Sequence, residues 1–395
     1  VADGGSPDGG PARGPRHPAG GGRPAGTASQ RVVALGGGHG LAAALAALRR
    51  LSAQVTAVVT VADDGGSSGR IRRELGALPP GDLRMALTAL AADGGSEQVW
   101  ARVLQHRFGG SGALAGHPVG NLILTGLAEV LGDPVAALDE TARLVGAVGR
   151  VLPMSTIPLE IAADVVGIDA DDPERVHRIR GQVAVATTPG RVVSVLLLPK
   201  TPPACAEAVA AVLAADAIVL GPGSWFTSVI PHVLVPDLLA ALVHTRARRI
   251  VALNLAPQPG ETDGFSPEQH LDVLCAHAPG LQVDAVIADT DAVVDTRGLM
   301  SAVAALGARL VLAPVAAGDG TPRHDPERLA VAFELALGAG VPDAGGAAWA
   351  GGAGGAGAGE TGVTGEAGAG EAGPGGPGPG GLGGAGKGGV SSGWR

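Results

Sequence analysis

The sequence predicts an α/β fold: a Rossmann-like, mostly parallel sheet flanked by helices, with a small inserted β-hairpin or α+β subdomain. Three observations carry this expectation. A strand-like run, a glycine turn and an amphipathic helix follow one another over residues 32–48. A second apolar strand ends at Asp63-Asp64, and a further strand runs into another glycine turn at residues 218–224.

The first strand, residues 31–35, meets Gly36-Gly37-Gly38-His39-Gly40, after which Leu41, Leu45 and Leu48 share one helical face. Glycines there let a ligand approach the backbone, and the free amides of a helix start favour an anion. A phosphate suits that place; a turn that only packs helix against strand is the plain alternative.

Residues 55–62 form a nearly continuous β-branched run, as in a strand covered on both faces. It ends in Asp63-Asp64-Gly65-Gly66-Ser67-Ser68-Gly69-Arg70. One acid at this place can take ribose hydroxyls; the loop can also hold a divalent cation or a second anion, or cap the next helix. Adjacent strand carboxylates point different ways, so only one is expected to touch ligand.

Pro79-Pro80-Gly81 breaks the chain, and Asp82 is placed to cap, to bind or to do both before the apolar face of Leu83, Leu87 and Leu90. Asn121, after His117-Pro118-Val119-Gly120, can bond a ligand or cap a helix. The texture of residues 151–200 changes to strands at 159–166, 183–186 and 192–198, the last two read as a hairpin about Thr187–Gly190. The acid-rich residues 169–172 read as a solvated loop.

The core resumes with a helix at 204–214, strands at 218–220, 250–253, 283–288 and 309–312, and a closing helix from Pro326. Gly221-Pro222-Gly223-Ser224 forms the second glycine turn, expected to line one cleft with the first because ligands sit beyond the carboxyl ends of strands where their order reverses. Asn254 and the polar loop 258–265 are again strand-terminal. Arg323, before His324-Asp325, is a candidate for a diphosphate because a guanidinium fork matches phosphate oxygens; a salt bridge to Asp325 explains it as well. His39 can bond a phosphate or simply pack.

The expected organisation is therefore a disordered tail at 1–30, two core halves at 31–150 and 201–341 around the insert 151–200, and a Gly/Ala/Pro-rich disordered tail at 342–395. A net charge of -9 with 16% charged residues leaves no basic surface for phosphodiester backbones, and four Phe, four Trp and no Tyr argue against stacking platforms, so no nucleic-acid partner is expected. Cys205 and Cys275 stand far apart, which argues against a disulfide framework or zinc site. No apolar run is long enough for a membrane helix and the start lacks a secretory apolar segment, so the expectation is a cytoplasmic protein without membrane insertion.

The segments VVALGGGHGL, VTVADDGGSSGRIRRELGALPPGDLR, GHPVGNLIL, VLGPGSWFTSVIPHVLVP, QPGETDGF and RHD, in this order, resemble the bacterial gluconeogenesis-factor family. The resemblance spans the whole ordered region, and the DDGGSSGR element with PPGD is its most specific part. It implies a cytoplasmic UDP-sugar-binding protein needed for normal cell shape on gluconeogenic carbon. The family is similar in fold to 2-phospho-L-lactate transferase, whose nucleotide-linked phospholactate chemistry uses a divalent metal. The chain departs from the commoner family pattern in His39, where Thr is usual, and in Trp225-Phe226, where Leu-Tyr is usual.

On these readings Gly36, Gly37, Gly38, His39, Gly40, Asp63, Gly65, Gly66, Ser67, Ser68, Asn121, Gly223, Ser224 and Arg323 are the expected nucleotide or phosphate contacts. Asp63 and Asp64 are the candidate metal ligands; no cofactor is required, although Mg2+ could accompany the nucleotide. A homo-oligomer is allowed. Two other functions stay open: an Mg-dependent transferase of the 2-phospho-L-lactate type, and a nicotinamide oxidoreductase, which the glycine spacing disfavours.

Overall fold

The structure, a computed structural model, describes residues 30–51 and 54–338. The disordered tails expected at either end lie, apart from Gln30, outside the described residues. Continuous apolar runs build the central sheet from β1 (Arg31–Gly36), β2 (Gln54–Val59) and β3 (Gly149–Pro153). A second, three-stranded sheet follows in β4 (Glu160–Val166), β5 (His177–Arg180) and β6 (Arg191–Leu198). The chain then returns to the central sheet through β7 (Ala217–Leu220), β8 (Arg248–Ala252), β9 (Ala285–Asp289) and β10 (Arg309–Ala313).

The seven central strands are parallel and lie in the order β10-β9-β8-β7-β1-β2-β3. β1 is the pivot. The chain first adds strands on one side of it, then crosses back to add β7 on the other, with Val33 opposite Thr56 and Ile218. Such a reversal leaves a crevice beyond the carboxyl ends of β1 and β7.

The first half supplies α1 (Gly38–Leu51), α2 (Gly66–Leu75), α3 (Gly81–Ala89), α4 (Gly95–Gln105), α5 (Val119–Leu131) and α6 (Pro134–Leu144). The insert adds the short α7 (Gln182–Ala186), and α8 (Ala206–Ala214) leads back to the core. A π-helical turn, Trp225–Val229, runs into α9 (Ile230–Val233) and α10 (Pro236–His244). The closing helices are α11 (Pro267–His277), α12 (Thr296–Ala305) and α13 (Pro326–Leu337). Leu41, Leu45 and Leu48 of α1 and Leu83 and Leu87 of α3 are buried as their spacing predicts, each worth about 1.5–3 kcal/mol against exposure. Among the described residues no single helix is long and apolar enough to cross a membrane.

The insert differs from the expected hairpin in one respect. Val183–Ala186, read as a strand, is helical in α7, and β6 pairs with β4 instead. Gly181, at φ 99°, turns the chain out of β5, and the Val183 N–H is taken by the Asp64 carboxylate (3.0 Å) rather than by a ladder. β5 is an edge strand held to β4 by two exposed pairs, Arg178–Asp164 and Arg180–Glu160.

Candidate functional site

The two glycine turns meet above the crevice. Gly36 ends β1, Gly37 makes the turn and Gly38 opens α1 with φ 59°. Gly40 lies so close to the second turn that a Cβ there would stand 2.3 Å from the Pro222 carbonyl oxygen. A Cβ on Gly37 would likewise stand 2.5 Å from Asp82 Oδ2 and 2.6 Å from Thr60 Cγ2. Glycine is required at both places by contact alone. The first amides of a helix have no intrahelical acceptor, and the residues that carry them, His39 and Gly40, line a pocket of about 440 Å³.

Gly223 and Ser224 form the facing wall of that pocket. Their turn is held rigidly from the loop after β8. The Asn254 side chain accepts from Gly223 N (2.9 Å) and donates to Gly223 O (2.8 Å). Gln258 accepts from Trp225 N and donates to Ser224 Oγ. Glu261, 5% exposed, accepts from Phe226 N (2.6 Å) and Thr227 N (2.9 Å), with burial pushing its carboxyl pKa up. The second turn therefore presents a preformed wall whose Gly223 amide is already engaged. The aromatic pair Trp225-Phe226 is fully buried, with Trp225 Nε1 donating to the His270 carbonyl (3.0 Å), so it belongs to the core.

Asp63, Gly65, Gly66, Ser67, Ser68 and Asn121 come together in a neighbouring pocket of about 240 Å³. Here the two adjacent acids diverge. Asp63 Oδ1 accepts from Gly65 N (2.9 Å) inside the pocket, while Asp64 turns away to bind α7. The second carboxylate beside Asp63 is Asp82, in the first turn of α3. It is not a cap: the cap position is Pro80, and the Asp82 carboxylate faces the first glycine turn, its Oδ2 2.5 Å from where a Cβ on Gly37 would stand. Burial, and then the charge of Asp63, raise the Asp82 pKa to about 7; burial also raises that of Asp63.

Among the described residues no three His, Cys, Asp or Glu side chains come together as a metal cluster. Asp63 and Asp82 are nonetheless a pair of half-buried carboxylates whose pKa values burial raises. Mg2+ is commonly held by one or two carboxylates, with water and phosphate oxygens completing its shell, so Asp63 and Asp82 fit a nucleotide-borne cation. Asp64, the other acid of the sequence pairing, instead accepts from the Val183 N–H of α7.

The far wall is a chain of hydrogen bonds. Arg84 Nε donates to Asn121 Oδ1 (2.9 Å), Asn121 Nδ2 donates to Ser67 Oγ (2.9 Å), and Ser67 Oγ is hydrogen-bonded with His117 Nδ1 (2.7 Å). Burial and the charge of Arg70 lower the His117 pKa. Asn121 thus acts as a buried bridge in the first turn of α5 rather than as its cap. Ser68 Oγ accepts from Gly81 N (3.1 Å).

Arg323 stands apart from both groups. Its guanidinium pairs with Asp319 (2.5 Å) and with Thr321, and Asp325 is used to cap α13. The same loop reaches the larger pocket through Pro322 and His324. Arg84, Asn254, Gln258 and Glu261 are the site residues that sequence reasoning left without a binding role, whereas it allowed Asp82 to bind. For the last three the signal was their place directly after a strand; Arg84 carried none.

The chain matches the family 2-phospho-L-lactate transferase CofD over residues 32–305. A Mycobacterium tuberculosis protein named "Putative gluconeogenesis factor" is 61% identical over 306 residues, covering 77% of this chain and 89% of that protein. A protein of Halalkalibacterium halodurans named "Gluconeogenesis factor" is 36% identical over 267 residues, covering 68% of this chain and 80% of its own length. The crystal structure of a UPF0052 family member from Bacillus halodurans superposes with a TM-score of 0.70 at 32% identity, covering 78% of this chain and 99% of that one.

Proposed function

The chain belongs to the 2-phospho-L-lactate transferase CofD family and to the gluconeogenesis factors within it, and from that membership and the cleft geometry we propose that it is a cytoplasmic UDP-sugar-binding regulatory protein. The observation that carries the reading is the meeting of Gly40 with Pro222 where strand order reverses. The start of α1 and its glycine turn would hold the diphosphate, and the Asn254-braced turn would form the opposing wall. By family resemblance the ligand would connect carbon supply to cell shape.

Asp63 and Asp82 would hold a divalent cation brought with the nucleotide, which would offset the phosphate charge when bound. Asp64 serves a different end, joining the β2 loop to the insert. Calorimetric titration with UDP-N-acetylglucosamine, with and without Mg2+, tests the reading. Saturable binding strengthened by Mg2+ supports it; absence of heat at roughly millimolar ligand contradicts it.

The carboxylate pair with raised pKa values also favours a second reading, a transferase of the 2-phospho-L-lactate type. Incubation with a deazaflavin acceptor, nucleotide-linked phospholactate and Mg2+ separates the two, since absence of product removes the transferase.

A further inference from the structure

The pocket that contains Asp63 and Asp82 has an opposite wall that a cation cannot use. Arg84 is only 3% exposed, yet among the described residues it forms no ion pair. Its Nε donates to Asn121 and its Nη1 to Gln105 Oε1, both neutral amides. Its remaining terminal nitrogen makes no hydrogen bond to a described residue. Burying a charged group with no ion pair is costly, and although Asp82 acts on Arg84 at longer range, a guanidinium in that condition beside a pocket calls for an anion from outside the fold.

A second guanidinium stands on the same wall. Arg107 lines the pocket with Arg84, is exposed, donates Nη1 to the Gly116 carbonyl (2.9 Å) and likewise forms no ion pair with a described residue. Ser67 and Ser68 complete the wall at the start of α2, whose cap residue, Gly65, offers no side-chain hydrogen bond. Neither Asp63 nor Asp82 comes within ion-pair distance of the two arginines. The pocket of about 240 Å³ is thus lined by two carboxylates and two guanidinium groups that form no ion pair with one another.

We infer that the wall formed by Arg84 and Arg107 is a subsite for a second anionic group, a carboxylate or a phosphate, carried at the end of the ligand remote from its nucleotide diphosphate. The inference rests on the nucleotide-sugar reading and adds to it a preference for acidic ligands. Guanidinium groups suit both anions because their fork of donors matches paired oxygens. A neutral sugar would leave Arg84 with only the longer-range charge of Asp82, so the site would discriminate by charge at that end.

The test compares UDP-glucuronate with UDP-glucose, which differ by one carboxylate, by calorimetry in Mg2+ on the full chain and on Arg107→Ala. Inorganic phosphate is titrated onto both proteins, free and loaded with UDP-glucose. Arg107 is exposed, so its replacement leaves the core intact, and a thermal melt checks this. A charged hydrogen bond predicts roughly ten-fold or greater preference for UDP-glucuronate, removed by Arg107→Ala. Equal binding of the two sugars with Arg107-dependent phosphate binding assigns the subsite to phosphate. Equal binding with no Arg107-dependent phosphate binding overturns the inference and leaves the nucleotide-sugar reading standing. If neither nucleotide sugar binds, that reading fails, and phosphate binding to the free protein, present or absent in an Arg107-dependent way, decides the subsite alone.

Discussion

Gly40 and Pro222 are in backbone contact: a Cβ on Gly40 would lie 2.3 Å from the Pro222 carbonyl oxygen and 2.7 Å from Gly223 Cα. The loops that follow β1 and β7 therefore pack directly against each other at the reversal of strand order. The cleft depends on the smallest side chain at this one point.

Gly40→Ala is expected to destabilise the protein by about 1–3 kcal/mol, the usual range for overpacking, because the atoms it meets are backbone and cannot swing aside. Gly126→Ala is the control, since that glycine lies exposed within α5 with nothing within 4 Å of its added Cβ. It should gain about 0.5–1 kcal/mol from helix propensity. Urea unfolding of the two variants checks the difference in sign.

Asp63→Asn and Asp82→Asn should each abolish the strengthening of UDP-N-acetylglucosamine binding by Mg2+ or Mn2+. Asp64→Ala should act mainly on stability, costing about 1 kcal/mol, because it removes the acceptor of the Val183 N–H. Calorimetry with thermal melts distinguishes these outcomes. Loss of the cation effect in Asp64→Ala, with Asp82→Asn unaffected, would reverse the assignment.

Glu261→Gln should lower stability by about 1–2 kcal/mol. The substitution exchanges a charged acceptor for a neutral one at Phe226 N and Thr227 N, the start of the π-helical turn. Because Asn254 and Gln258 brace the same turn, nucleotide affinity should fall with it, as read by titration.

His232 gives the pH dependence. It is fully buried, with Nε2 3.0 Å from the Val58 carbonyl oxygen and Nδ1 beside that of Val229, and burial lowers its pKa from 6.5 to about 4. The folded value lies below the unfolded one, so the stabilising contribution is complete above the unfolded pKa and is lost as pH falls from there toward the folded value. About 2 kcal/mol should disappear between pH 7 and pH 5. Urea midpoints across that window should flatten in His232→Gln; an unchanged slope would exclude His232 as the cause.

Much of the fold was legible because the central strands are nearly unbroken apolar runs that end in glycine or polar turns, and because Leu41, Leu45 and Leu48 keep helical spacing. Where tertiary contacts override local pattern, the sequence misleads. Val183 and Val185 resemble a strand but belong to α7, since Gly181 and Asp64 redirect the chain. His177–Arg180 shows no apolar alternation, and its ion pairs to β4 arise only from the pairing itself.

The site was legible at its loops and not at its partnerships. Glycine turns announce themselves by composition. The approach of Asp82 to Asp63, and of Arg84 to Asn121, depends on how α3 and α5 pack beside α2, which spacing does not encode. The same packing gives Asp64 a structural partner and leaves Arg323 with Asp319.

A crystal structure of the full chain soaked with UDP-N-acetylglucosamine and Mg2+ tests the central claim most directly. The diphosphate is predicted against the Gly38–Gly40 turn, facing Gly223 and Ser224, with the cation held by Asp63 and Asp82. A diphosphate bound elsewhere, or a cation held by Asp64 without Asp82, would contradict it.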